Sequence, residues 1–283
     1  MRWAAWIVVL IAAHTSVPGV AFAKDTRAVP FRIYRGYAIV VRGSIGKLKN
    51  LNLLIDTGAV PSVVDRRVAQ KLHLSGIHEK LSVFTEELDV ERATARNVKI
   101  GSDRLEALPV VVRDLSFAAD AFGTQVDGLI GFDFLSQGPF TIDYLHKQIV
   151  FGPIGRLAVA VHYEANPGYA VVEMKLQQYT LHLVVDTGAN DLVLFGGITH
   201  DFIEAMAVVS TRTWSNMAGE IHVQEVQLKD AYLGSTPWPK KSAFILPSEP
   251  KNTPQGLSGL LGVASLKARR VAFDPGRRIL AWD

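Results

Sequence analysis

Two aspartates in this chain stand in the same four-residue setting. Asp56-Thr57-Gly58-Ala59 follows the apolar run Leu51-Asn52-Leu53-Leu54-Ile55, and Asp186-Thr187-Gly188-Ala189 follows Leu181-His182-Leu183-Val184-Val185. An aspartate trailed by a small hydroxyl residue and a glycine has the composition of a tight turn, here one that would point a carboxylate out of the end of a buried strand. A single such turn carries little weight, because Asp and Gly populate turns everywhere. Two at matched positions can form a pair. Carboxylates brought together away from water cannot both ionise readily, so they share a proton. One can then act as base toward a water while the other donates to a carbonyl oxygen.

The elements that must position this pair are also written twice. Gly36-Tyr37-Ala38-Ile39-Val40 returns as Gly168-Tyr169-Ala170-Val171-Val172, Gly128-Leu129-Ile130-Gly131 as Gly259-Leu260-Leu261-Gly262, and Ile142-Asp143 as Phe273-Asp274. With the aspartate turns these are four anchors in one order, at offsets of 130 to 132 residues, which indicates a duplicated unit. Both copies read as all-β: residues 39–41, 51–55, 109–112 and 149–151 are strand candidates in the first, and 171–174, 181–185, 221–226 and 279–282 in the second. Short helices are expected at 65–74 and 201–207. Pro153, Gly155 and Asn166-Pro167-Gly168 mark a junction. Asp143 and Asp274 precede turn-like sequences and read as structural, and Asp133 reads as the cap of a short helix. The proline-rich stretch 237–254 reads as a long surface loop.

Residues 1–23 form a separate object. Arg2, an apolar stretch from Ala4 to Ala13, a Pro18-Gly19 break and Ala21-Phe22-Ala23 have the layout of a cleavable export signal, too short to span a bilayer, where about 20 apolar residues are needed. The expected division is therefore a signal at 1–23, a first lobe at 24–155 and a second at 156–283. An exported, periplasmic or secreted chain without a stable membrane anchor follows from that reading. Only Lys24 to Pro30 separates the signal from the first repeated strand, which leaves no room for a long activation segment. A net charge of +3 is too weak and dispersed for nucleic-acid binding. The absence of cysteine excludes thiol nucleophiles and thiolate metal sites. The eight histidines include no His-Glu-x-x-His pair, and no Gly-x-Ser-x-Gly or phosphate-binding loop occurs, so neither metal nor organic cofactor is called for.

With these residues in view, the chain resembles the pepsin–retropepsin superfamily of aspartic peptidases, in a bacterial-type single-chain form with two retropepsin-like repeats. The resemblance implies two β-barrel-like lobes related by a pseudo-twofold axis, with a cleft between them and an aspartic endopeptidase activity on peptide or protein substrates. By resemblance Asp56 and Asp186 are the catalytic pair. Thr57 and Thr187 cross-link the two turns, Gly58 and Gly188 bring backbone close to the carboxylates, and Gly131 and Gly262 are the family's glycine marker behind them. Ala59 and Ala189 match the retroviral type, where pepsin-like enzymes carry Ser or Thr. Losing a donor to the ionised carboxylate raises its pKa, so an optimum less acidic than pepsin's is expected.

The family closes its cleft with a hairpin flap. Trp214, Met217 and Gly219 supply a candidate tip in the second half, whereas Phe84 to Ala95 lacks glycine, is strongly acidic, and offers no clear counterpart. A monomer of two lobes is expected, with a swapped dimer as the variant to separate by sedimentation. The alternative function is a peptide-binding or inhibitor protein that keeps the fold without hydrolysis, against which the intact Asp and Thr pairs argue.

Overall fold

The computed structural model describes residues 5–6, 28–83, 86–166, 168–196, 207–216, 219–238, 242–247 and 256–283, and the chain is mostly β there. Most of the expected export signal, the expected helix at 201–207 except Ala207, and Met217 lie outside the described residues. Among the described residues no helix is long and apolar enough to cross a membrane.

The strands join into two sheets. The first runs, edge to edge, Val159–His162, Ile279–Trp282, Arg270–Asp274, Phe140–Asp143, Gln148–Phe151, Ala28–Tyr34, Ala38–Ile45, Leu48–Ile55, Gly128–Ile130, Ser62–Asp65, Asp103–Arg113, Glu86–Ile100 and Ile77–Val83. The second runs Ala5–Trp6, Val208–Asn216, Gly219–Gln227, Ser242–Ile245, Leu192–Leu194, Gly259–Gly262, Tyr179–Asp186, Tyr169–Leu176, Ala231–Leu233 and Thr236–Pro237, with Glu164–Asn166 also on Tyr169–Leu176. From the aspartate-bearing strands outward, the two sheets present their segments in the same order. In each, that strand pairs in parallel with the glycine-marker strand, Leu53 to Ile55 against Gly128 to Ile130 and Leu183 to Asp186 against Gly259 to Gly262. A strand covered on both faces needs apolar side chains on both, which is why these segments are continuous hydrophobic runs and not alternating ones.

The segment 152–158 at the expected junction is irregular, and hydrogen bonding crosses it. Phe140–Asp143 pairs antiparallel with Arg270–Asp274, so that Thr141 faces Ala272, and the rings of Phe140 and Phe273 stack with centroids 4.8 Å apart. Val159–His162 joins this sheet against Ile279–Trp282.

Three expectations change. The acidic stretch from Phe84 to Ala95, which offered no clear flap counterpart, lies within a hairpin: Ile77–Val83 pairs with Glu86–Arg92 through seven residue pairs, and the two residues at its tip lie outside those described. Its charges are cross-strand partners, with Lys80 2.9 Å from Asp89 and Arg92 2.6 Å from Glu79. Opposite charges facing each other across a ladder stabilise it modestly, so a charged sequence can be a strand pair. Ser242–Ile245, expected within a surface loop, is a strand with Ala243, Phe244 and Ile245 buried. Asp133 is not at the cap position of Phe132–Leu135, which Gly131 holds; from within the turn its carboxylate accepts from the Phe134 amide at 2.9 Å. The helix expected at 65–74 forms as Arg66–Leu72, capped by the Asp65 carboxylate on the Arg67 amide.

Candidate active site

Strand Leu48–Ile55 ends buried, and the chain turns immediately: the Asp56 amide donates to the Ile130 carbonyl at 3.0 Å and the Ala59 amide to the Asp56 carbonyl at 3.2 Å. The second turn leaves Tyr179–Asp186 in the same way, with Asp186 paired to Gly262. Four buried hydrogen bonds fasten one turn to the other. The Thr57 amide donates to Thr187 Oγ1 at 2.9 Å and the Thr187 amide to Thr57 Oγ1 at 3.0 Å. Thr57 Oγ1 donates onward to the Val185 carbonyl at 2.7 Å, and Thr187 Oγ1 to the Ile55 carbonyl at 3.0 Å. Each hydroxyl both accepts and donates, so a residue lacking it would strand a buried amide and a buried carbonyl together.

The glycines bring the carboxylates together. A Cβ on Gly58 would lie 2.5 Å from Asp186 Cγ, and one on Gly188 would lie 2.6 Å from Asp56 Oδ2, so no side chain fits at either position. Each glycine amide serves the aspartate of its own turn, Gly58 donating to Asp56 Oδ1 at 3.0 Å and Gly188 to Asp186 Oδ1 at 2.7 Å. Oδ2 of both aspartates is buried without a donor. The two carboxyls are close enough to hydrogen-bond to one another when one carries a proton. Both side chains are fully buried, and desolvation raises both pKa values above the ordinary carboxylate range; repulsion from Asp186 lifts Asp56 further. Ala59 and Ala189 are fully buried and their side chains add no donor, although the Ala189 backbone amide serves Asp186.

Behind the turns the glycine marker is a packing requirement. A Cβ on Gly131 would sit 2.1 Å from the Ala59 carbonyl oxygen, and one on Gly262 would sit 2.5 Å from that of Asp191. In the first half the Phe132 amide donates to the Ala59 carbonyl at 3.0 Å; in the second the Gly262 amide donates to the Asp191 carbonyl at 3.0 Å.

Two supporting residues were not singled out in the sequence for this role. Asp133 accepts from the Ser62 amide at 2.8 Å and from Ser62 Oγ at 2.6 Å, and Ser62 Oγ accepts from the Gly131 amide at 2.8 Å. Burial pushes the Asp133 carboxyl up to about 6 against these hydrogen bonds. The equivalent positions of the second half hold Leu192 and Ala264, so this tether belongs to the first turn alone.

Of the candidate flap residues, Trp214 is buried with its ring 4.6 Å from that of Phe244, so it anchors the hairpin Val208–Asn216/Gly219–Gln227 to the sheet and is not its tip. Gly219 pairs with Asn216 at the described end of that hairpin. Asp143 and Asp274 accept from the His146 and Arg277 amides in the turns that follow them, a structural use. Among the described residues no group of three or more His, Asp or Glu is placed to hold a metal ion.

No curated protein matches the chain. Residues 41–134 match a family model described as aspartyl protease, a span that contains the Asp56 turn, Ser62, the Gly131 marker and Asp133.

Proposed function

We propose that the chain is an aspartic endopeptidase built from one unit used twice, in which Asp56 and Asp186, one from each half, share a proton and activate a water for attack on a peptide bond. The observation that carries this reading is the mutual approach of the turns: each glycine faces the other half's carboxylate where no Cβ fits. The aspartyl protease match over the first half supports it.

In the proposed reaction the ionised carboxylate takes a proton from the water as it attacks the scissile carbonyl, and the protonated carboxyl donates to the carbonyl oxygen as it becomes tetrahedral. As the C–N bond breaks, the proton taken from water goes to the leaving nitrogen and a hydroxyl of the tetrahedral species returns its proton to the other carboxylate, which restores the singly protonated pair. No covalent enzyme intermediate forms. The Gly58 and Gly188 amides hold the Oδ1 atoms, which leaves Oδ2 of each free to exchange protons. Because burial and mutual repulsion hold the shared proton above the ordinary carboxylate range, activity extends to less acidic pH than for an exposed aspartate pair. Apolar residues flanking the scissile bond are favoured, since substrate clefts are mostly apolar. The same reading divides the chain at 155/156, removes residues 1–23 on export, and has the chain act as a monomer.

The test is incubation of the purified chain with unfolded proteins, followed by sequencing of the new termini. Wild type generates new termini at fixed sites, while Asp56→Asn and Asp186→Asn each lose activity by about 100-fold or more, the scale of general acid–base catalysis. A chain that binds peptides without cleaving them would support the binding-protein reading instead.

A further inference from the structure

The Gly-Tyr-Ala sequences that open each repeat hold two side chains with no part in the proton transfers above. Tyr169 begins the strand Tyr169–Leu176, which pairs within its own sheet, and is one of the largest fully buried side chains. Its hydroxyl nevertheless reaches the other half: it donates to the Val60 carbonyl at 3.3 Å, across 109 residues of sequence. Gly168, with φ +83°, brings the backbone so near that a Cβ there would lie 3.0 Å from Val60 Cγ1. Val60 directly follows Ala59 at the exit of the first aspartate turn.

Tyr37 holds the equivalent place in the first half, where it is buried just before Ala38–Ile45 with its ring edge-on to Phe122 at 6.2 Å.

We infer that Tyr169 is a positioning residue, holding the exit of the first aspartate turn from the opposite half of the chain. The threonines tie the turns to each other at their bases, and Tyr169 ties the exit of the first turn to the second half's first repeated strand. Together they fix where the Asp56 turn sits against the Asp186 turn. The bracing stands on geometry alone; its consequence for turnover rests on the proposed peptidase activity.

Hydrogen exchange of the full-length chain separates the two. Tyr→Phe removes one hydroxyl and keeps the buried ring. Tyr169→Phe is expected to speed amide exchange about fivefold at residues 57–62, in the half that does not contain the substitution, as loss of one buried hydrogen bond would do. In the cleavage assay the variant lowers kcat about fivefold with KM unchanged. Faster exchange confined to the variant's own strand, residues 169–176, would overturn the inference, as would crossed exchange with kcat unchanged. If wild type cleaves nothing while exchange crosses between halves, the bracing holds and the peptidase reading fails.

Discussion

At the residue scale, the aspartate turns are held by groups that have no substitute. Thr57→Val removes the acceptor of the Thr187 amide and the donor to the Val185 carbonyl, and is expected to cost about 1–3 kcal/mol for the buried groups left unpaired, read from urea melts. Ser62→Ala strands the Gly131 amide and removes the hydroxyl donor to Asp133 Oδ1, while the backbone amide at 62 still reaches Oδ2, with a cost on the same scale. The aspartates work in the other direction. Their folded pKa values lie above the ordinary 3.8, so the folded state binds more protons than the unfolded one. Stability is therefore greatest below that value and falls as pH rises through the folded pKa values. Asp186→Asn, which cannot ionise, should melt higher than wild type at pH 7, by about 2–4 °C for each kcal/mol of relieved strain, and the gain should vanish near pH 4. The Asp-Thr-Gly turns were legible because a polar turn capping a wholly apolar strand is a local pattern. The Asp133–Ser62 tether was not, because its partners are 71 residues apart and neither lies in a repeated motif.

At the scale of elements, equivalent strands of the two halves meet at Phe140–Asp143 and Arg270–Asp274. Phe273→Ala opens a cavity beneath the stacked Phe140 ring and in contact with Phe132, and is expected to destabilise the chain by about 3–5 kcal/mol in chemical denaturation. Lys80→Ala breaks only an exposed cross-strand pair, and its cost should stay below about 1 kcal/mol. The buried strands could be read from apolar runs and the first helix from the spacing of Val68 and Leu72. The hairpin at 77–92 could not, because its second strand carries Glu86, Glu87, Asp89 and Glu91 with no glycine at the turn, and charged runs look like loops until their partners are known. Ser242–Ile245 was hidden by the prolines around it, although its own residues, Ala243, Phe244 and Ile245, are those of a buried strand.

At the scale of the molecule, the common order of segments in the two sheets is what brings two distant aspartates to one place. The offset of the sequence anchors made this order readable in advance. The continuous sheet across the junction was not readable, since pairing between two equivalent strands leaves no extra period in the sequence. A pair of aspartates assembled within one chain should give a specific activity independent of protein concentration, with sedimentation as a monomer; activity that falls away on dilution would mean that halves pair between chains.

Catalysis by this pair requires Asp56 and Asp186 to hold a single proton between them. Carbon-13 NMR of aspartate-labelled protein, with signals assigned through Asp56→Asn and Asp186→Asn, follows both carboxyls across pH. The prediction is two coupled steps, the second well above the ordinary aspartate range and abolished in either variant. Two independent titrations near 3.8 would contradict it.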